Sequence, residues 1–221
     1  LRGDDADYRR AAEPLDGPLV SRMAKMARQQ KVWILAGSVM EKAGRKVYNT
    51  SVLLNRSGRI AASYRKIHLF EAHLENGRVV READAYSPGR SPVMVSIEGW
   101  QTGLAICYDL RFPELFRRYA GHNATLLLAP SNFTQRTGKD HWEVLVRARA
   151  IENQCFVVAP NQCGANAATG IVSHGHSLAV GPWGEVLFHA ADAETVRIVR
   201  LDPATLKATR ARIPALQHRK L

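Results

Sequence analysis

The residue of this chain best suited to nucleophilic chemistry is Cys107, which ends a short apolar run and precedes a polar turn. Pro113 follows that turn, and proline is favoured at the first helical position because its missing N–H needs no partner there. The pattern predicts that Cys107 lies on a strand-to-helix turn, with its sulfur near a helix N-terminus. The partial positive charge at that end would favour the reactive thiolate. Position alone leaves open an inert cysteine packed in the core.

Four blocks of sequence follow one another along the chain. They are YRKIHLF (64–70), ICYDLRFPEL (106–115), HWEVLVRARAIENQ (141–154) and GHSLAVGPWGEVL (175–187). In this order and at these intervals they resemble the nitrilase superfamily of carbon–nitrogen hydrolases, from about Pro14 to the C-terminus. The resemblance implies an α/β fold, a four-layer α-β-β-α sandwich with mixed β-sheets.

The resemblance also implies a chemistry. Hydrolysis of an amide or nitrile through a thioester needs a nucleophile, a proton shuttle and donors for the developing oxyanion. Cys107 would be the nucleophile, Lys66 would supply a cation, and the backbone N–H of Tyr108 would be a second oxyanion donor. For Lys66 the alternative is a solvated lysine at the end of a strand, which is the usual environment of lysine.

A Cys-Glu-Lys triad with one further glutamate is the catalytic set of the family. The further glutamate lies between the lysine and the cysteine, and the candidates are Glu71, Glu75 and Glu82. Family spacing back from the cysteine favours Glu82, whose implied role is to orient Lys66 and the substrate amide. The alternative is that Glu82 is one of several exposed loop carboxylates.

The other glutamate, the general base, sits in the family at the end of a strand in a Pro-Glu pair, which this sequence lacks. Glu13 precedes Pro14, in the reverse order and with no strand before it. No strand–helix–strand unit comes before Leu1, and such a unit would need roughly 35–50 residues. We therefore expect a single carbon–nitrogen hydrolase domain over residues 1–221 that is N-terminally truncated and is inactive and poorly stable by itself.

Three further residues are candidates for substrate binding. Arg111 could bind a substrate carboxylate through both guanidinium N–H groups, or it could pair with Asp109 or Glu114 in the turn. Asn132 and Phe133 follow an apolar strand next to the strand that ends in Cys107. We expect both to line the substrate pocket.

Hydrophobic periodicity and turn residues predict the elements that must position these side chains. The middle of the chain alternates strands and helices, with hairpins on both sides, so the sheets should be mixed. Residues 71–91 are polar and read as a long loop. The predicted helices cover 18–30, 113–120 and 139–153, with a last helix opened by Pro203. The predicted strands cover 31–39, 47–55, 60–66, 92–100, 101–107, 124–129, 155–161, 176–181, 185–190 and 195–202.

Composition restricts the partners and the location. The chain has 221 residues, of which 46% are hydrophobic, and a net charge of +11. The charge is spread along the chain and is densest near the C-terminus, so we expect no nucleic-acid partner. No apolar run approaches the ~18 residues of a membrane span, so no membrane is expected. Three cysteines without metal-ligand spacing indicate no metal and a reducing, cytoplasmic compartment.

The sequence thus predicts a thiol amidase that cleaves a small carboxamide to a carboxylate and ammonia and needs no cofactor. The segments RARAIENQC (147–155) and VVAPNQCG (157–164) look most like the branch that contains deaminated glutathione amidase and the omega-amidases. An N-carbamoyl amino acid hydrolase or a true nitrilase is the alternative within the class. A non-catalytic binding or scaffold protein on the same fold is the alternative of another class. The resemblance implies a homodimer or higher homo-oligomer, paired through helices 113–120 or 139–153.

Overall fold

A computed structural model of the chain describes residues 10–73, 79–167, 170–191 and 194–220. The chain divides into two compact units, Leu1–Val93 and Met94–Leu221. The expectation of one domain over residues 1–221 stays a prediction. None of the helices in the described part of the chain is long and apolar enough to cross a membrane.

The first unit contains helix α1 (Pro18–Gln30), at the position that the sequence predicts. Proline at its start supplies a preset helical φ. The helix ends where Lys31 takes a left-handed conformation with φ 53° and donates its N–H to Ala27 O. Two side chains of the helix, Val20 and Ala27, are buried and pack into one cluster with residues of the adjacent sheet.

That sheet contains three antiparallel strands, β1 (Ile34–Ala43), β2 (Lys46–Leu54) and β3 (Ile60–Arg65). The predicted hairpin between β2 and β3 is confirmed. The Asn55 carboxamide oxygen accepts hydrogen bonds from Ser57 N and Arg59 N, both at 3.0 Å, which fixes the turn. Gly58 has φ 75°, and a Cβ there would lie 2.4 Å from Ala24 O of α1, so the turn requires glycine.

The polar segment 71–91 is not a continuous loop as predicted. It contains the short antiparallel pair β4 (Glu71–His73) and β5 (Val79–Arg81), followed by a 3-10 helix over Glu82–Asp84. Polar composition and glycine favour a loop locally. The segment nevertheless forms strands, because backbone groups that are distant in sequence pair with one another. One such pair is Glu82 N with Phe70 O, at 2.8 Å.

The second unit is organised around a six-stranded sheet. Its strands are β6 (Met94–Ile97), β7 (Trp100–Leu104), β8 (Leu126–Leu128), β9 (Phe156–Ala159), β12 (Leu178–Val180) and β13 (Val186–His189). Their order across the sheet is β13-β12-β9-β8-β7-β6. The inner strands β7, β8 and β9 run parallel and the outer pairings are antiparallel, so the predicted mixed sheet is confirmed. Helices connect the parallel strands, as a parallel pairing requires.

The crossover helices are α2 (Pro113–Gly121) and α3 (Gln135–Asn153), both predicted, with α3 starting four residues earlier than expected. A small hairpin, β10 (Cys163–Ala165) with β11 (Val172–His174), was not predicted. The last helix α4 (Pro203–Arg212) begins at the predicted proline. Its N-cap Asp202 accepts a hydrogen bond from Ala204 N at 2.9 Å.

The strand predicted over residues 195–202 is wrong, because the structure assigns no strand to this segment. Val196 and Ile198 are 93% and 98% exposed. The alternation of β-branched residues carries strand propensity, but a strand forms only when a neighbour supplies the backbone partners. No described strand pairs with this segment.

Candidate active site

Cys107 lies just past the end of β7 and opens a short 3-10 helix over Cys107–Arg111. Its backbone adopts φ 49°, a left-handed conformation that is uncommon outside glycine. Its N–H donates to Pro130 O at 3.0 Å, in the loop that follows β8. A strained strand-to-helix turn of this kind lifts a nucleophile off the end of a sheet in other hydrolases.

The strand-to-helix turn that the sequence predicts is confirmed, and Pro113 is the first residue of α2. Between Cys107 and α2 lies the five-residue 3-10 helix that Cys107 opens, which was not predicted. Stabilisation of a Cys107 thiolate by a helix N-terminus stays a prediction.

Asp109 holds the turn in place, a role that the sequence analysis missed. It is fully buried, and its carboxylate accepts a hydrogen bond from Ile106 N at 2.8 Å. Asp109 N donates in return to Ile106 O at 3.1 Å. The signal in the sequence was an acid three residues after the residue that precedes the helix, which is the spacing of a capping box.

Lys66 follows the last residue of β3 and is 2% exposed, so the solvated strand-end lysine is excluded. Its Nζ donates to the Glu82 carboxylate. Its backbone is held on both sides, since Lys66 N donates to Asn49 O and Lys66 O accepts from Gly89 N, both at 2.8 Å. A Cβ at Gly89 would lie 2.0 Å from Arg65 O, so only glycine permits this approach.

Glu82 is the candidate glutamate that the structure brings to Lys66. One carboxylate oxygen, Oε2, accepts hydrogen bonds from Lys66 Nζ and from Phe70 N, the latter at 2.8 Å. Glu71 instead contacts Arg81 Nε at 3.3 Å and His73 Nε2 at 3.5 Å, and is about half exposed. Glu75 lies outside the described residues. The alternative that Glu82 is an exposed loop carboxylate is wrong.

The Lys66 ammonium has more donors than the described protein uses. An ammonium carries three N–H donors. Among the described residues, Glu82 is the side-chain partner that the structure gives it. A buried ammonium held by one carboxylate on one side is able to donate to a further oxygen.

The structure shows whether Arg111 pairs with a carboxylate of its own turn, which the sequence left open. Its Nη2 lies 3.2 Å from Nδ1 of His141, the first residue of the sequence block at 141–154. Its guanidinium carbon lies 5.5 Å from the centre of the Phe133 ring. Within the described residues it forms no ion pair with Asp109 or Glu114. The positive charge of Arg111 is therefore not neutralised by a salt bridge to Asp109 or Glu114.

The two remaining candidates are held by side chains of the second unit. Asn132 Oδ1 accepts a hydrogen bond from Ser173 Oγ at 2.7 Å. Phe133 is buried, and its ring centre lies 5.0 Å from that of Trp142. The buried Asn161, which the sequence analysis did not single out, anchors this segment by accepting from Phe133 N at 3.0 Å. Pocket lining by Asn132 and Phe133 stays a prediction.

Comparisons with known proteins agree with these features. The family model described as carbon-nitrogen hydrolase matches residues 3–211. Deaminated glutathione amidase of Rattus norvegicus is 40% identical over 215 residues, which cover 95% of this chain and 65% of the rat protein. The chain thus spans slightly less than two thirds of the length of that relative.

Solved structures of the same superfamily share the fold. A carbon–nitrogen hydrolase superfamily protein from Xanthomonas campestris, with an arsenic adduct in its active site, has a TM-score of 0.87 and 29% identity, over 99% of this chain and 80% of that one. The amidase from Nesterenkonia sp. AN1 has a TM-score of 0.75 and 29% identity, over 91% and 69%. One mutant of that amidase shows covalent addition of an acetamide moiety at the active-site cysteine. The predicted α/β nitrilase fold is confirmed, and this chain belongs to the carbon-nitrogen hydrolase family of the nitrilase superfamily.

Proposed function

We propose that the protein is an amidase that cleaves a small carboxamide to a carboxylate and ammonia through a thioester on a cysteine. The observation that carries this proposal is Cys107 on its strained turn at the end of β7. The family membership and the amidases among its relatives support it.

In the proposed reaction, the Cys107 sulfur attacks the amide carbonyl carbon and a tetrahedral oxyanion forms. We assign Lys66 Nζ and the Tyr108 N–H as donors to that oxyanion. Glu82 orients the Lys66 ammonium through the hydrogen bond described above. Collapse of the intermediate breaks the C–N bond, and the leaving nitrogen takes up the proton that the Cys107 thiol gave up, so that ammonia is released. Water then hydrolyses the thioester, which frees the carboxylate product and restores the thiol. No general base is assigned among the residues of this chain.

For the substrate we propose a small amide that also carries a carboxylate. Arg111 is a cation without a carboxylate partner in the described residues, and a guanidinium binds a carboxylate through two parallel N–H groups. The relative from Rattus norvegicus is named deaminated glutathione amidase, and that name supports a small amide as the substrate class. Asn132 and Phe133 are proposed to line the pocket for this substrate.

The test is a substrate panel applied to the protein expressed from its complete gene. Small carboxamides, with and without a carboxylate, are compared with N-carbamoyl amino acids and with nitriles, and released ammonia is measured. Mass spectrometry of the protein after rapid quenching then locates the acyl group. Ammonia release from carboxamides together with an acyl adduct on Cys107 is the expected result. Turnover of only the carbamoyl compounds or nitriles would move the protein to the alternative activities. Absence of both turnover and adduct would indicate the non-catalytic scaffold.

We further propose that the protein forms a homodimer through α3. This helix exposes Val144 and Ile151, at 67% and 49%. Ile151 lies against Gly184, and the neighbouring Trp183 is 45% exposed. The apolar residues of α2, by contrast, are buried. Exposed apolar area of this kind favours association with a second copy. Light scattering that returns a monomer mass for the protein would contradict the proposal, and Val144→Glu should shift a dimer towards monomer.

We keep a cytoplasmic location as part of the proposal. All three cysteines, Cys107, Cys155 and Cys163, are present as thiols and not as disulfides. Unpaired cysteines are the usual state in a reducing compartment. Fractionation of the source cells with an antibody to the protein tests this.

A further inference from the structure

Asn49 is a residue of β2 that contacts both members of the Lys66–Glu82 pair. Its side-chain Nδ2 donates to Glu82 Oε1 at 3.4 Å. Its backbone carbonyl accepts from Lys66 N at 2.8 Å. Lys66 Nζ and Phe70 N both occupy the other carboxylate oxygen, Oε2. In the described residues, Asn49 is therefore the group that engages Oε1.

The orientation of the Asn49 carboxamide follows from the charge it faces. A carboxylate accepts hydrogen bonds and cannot donate them, so the NH₂ group must point at Glu82 and the carbonyl oxygen must point away. That oxygen, Oδ1, is buried and has no hydrogen-bond partner among the described residues. An unpaired buried acceptor is destabilising. The contact that this position provides for the carboxamide is therefore its donor to Glu82, while its own acceptor stays unpaired.

The remaining contacts of Glu82 show what the carboxamide can do. The terminal torsion of a glutamate side chain is broad, so bonds to one oxygen leave the plane of the carboxylate weakly defined. A donor on Oε1 fixes that plane. The charged group that faces Glu82 in the described residues is Lys66, and a carboxylate with a fixed plane holds the Lys66 ammonium in one place.

We infer that Asn49 is a positioning residue for the proposed amidase reaction: its Nδ2 fixes the Glu82 carboxylate, which in turn orients Lys66. The inference rests on the proposed function, because it assigns Lys66 to the oxyanion. Asn49 itself is not assigned a contact with substrate. Its effect on the rate passes through the direction of the Lys66 N–H groups, and small misplacements of a catalytic group are known to cost large factors in rate.

The test compares Asn49→Ala with Asn49→Ser and with the control Asn55→Ala, all in the protein expressed from its complete gene. Asn49→Ala should lower kcat by about 10–100-fold with little change in KM. Asn49→Ser keeps a donor and should recover part of kcat.

Asn55 is a matched control because it is the same residue type at the end of the same strand, where its side chain fixes the hairpin turn. Asn55→Ala should lower the melting temperature and leave kcat and KM unchanged. If the Asn49 variants behave like this control, the inference is overturned and the proposed function stands. If the unsubstituted protein shows neither turnover nor a Cys107 adduct, the proposed function fails and the inference fails with it.

Discussion

Two neighbouring cations at the end of β3, Arg65 and Lys66, are held in opposite ways. Successive side chains of a strand point to opposite faces. Arg65 therefore meets Glu41 on one face, with Nε to Oε2 at 2.8 Å and Nη2 to Oε1 at 2.5 Å. Its guanidinium also lies 4.0 Å above the Tyr48 ring. Lys66 is buried on the other face, with Glu82 as its side-chain partner.

The two ion pairs at this strand end differ in how many of their hydrogen-bonding groups are used within the protein. Two guanidinium N–H groups of Arg65 donate to the two oxygens of Glu41. Thr50 Oγ1 donates to the same carboxylate at 2.7 Å, so the Glu41 carboxylate is fully engaged within the protein. Burial alone would raise the pKa of Glu41, but the hydrogen bonds from Arg65 and Thr50 outweigh burial and lower it. Lys66 is a compact charge with donors to spare, as an oxyanion site requires.

The cysteines of the second unit repeat this contrast. Cys107 occupies the left-handed turn and is partly exposed. Cys155 is fully buried just before β9, and burial raises the pKa of its thiol to about 12. A thiol with so high a pKa is protonated at neutral pH and is a poor nucleophile. Cys155 is therefore a packing residue.

The largest effect should come from Cys107→Ala. We expect it to lower kcat by more than about 10²-fold, because removal of the nucleophile ends covalent catalysis. Circular dichroism should show an unchanged fold. Retention of more than about a hundredth of the rate would contradict the role of Cys107.

Lys66→Ala should lower kcat by about 10²–10³-fold, the usual loss for one preorganised oxyanion donor. The matched variant is Arg65→Lys, next to it on the strand. It removes the fork that fits Glu41 and should reduce stability while kcat stays nearly unchanged. Steady-state kinetics of the two variants sharpens the comparison. If Lys66→Ala changes only KM, Lys66 binds substrate and does not stabilise the oxyanion.

Glu41→Gln should reduce the free energy of unfolding by about 1–3 kcal/mol at neutral pH, since it leaves a charged guanidinium without its carboxylate. The lowered pKa of Glu41 sets the pH dependence. Its stabilising contribution is fully present above the pKa of the unfolded chain and is lost as pH falls through the lower pKa of the folded state. Urea unfolding at several pH values should therefore show the difference between the two proteins shrinking in acid. A constant difference would contradict the ionised pair.

Cys155→Ala should have the smallest effect. We expect kcat to be unchanged and the free energy of unfolding to fall by about 1 kcal/mol, from the loss of a small buried side chain. In the unsubstituted protein, iodoacetamide at mildly alkaline pH should leave Cys155 unmodified until the protein unfolds. Peptide mass mapping gives the extent of modification. Rapid labelling of Cys155 in the native protein would break the contrast with Cys107.

Much of the local structure could be predicted because its causes lie within a few residues. The hairpin around Gly58 is fixed by Asn55 and its neighbours, and α2 and α4 begin at Pro113 and Pro203. Prediction failed where an element depends on a distant partner. Val196 and Ile198 have the composition of a strand but no strand beside them, whereas polar residues near Glu71 pair with β5.

The sequence by itself determined the family, the candidate nucleophile Cys107 and a short set of carboxylates that could serve Lys66, because residue types and spacing along the chain carry that information. Only the tertiary structure decided that Glu82 reaches Lys66, across 16 positions of sequence, and that Glu71 does not. It also decided that Lys66 is buried while Arg65 remains partly exposed. Spacing limits which groups can meet, but the folding of distant backbone segments onto one another selects which of them do.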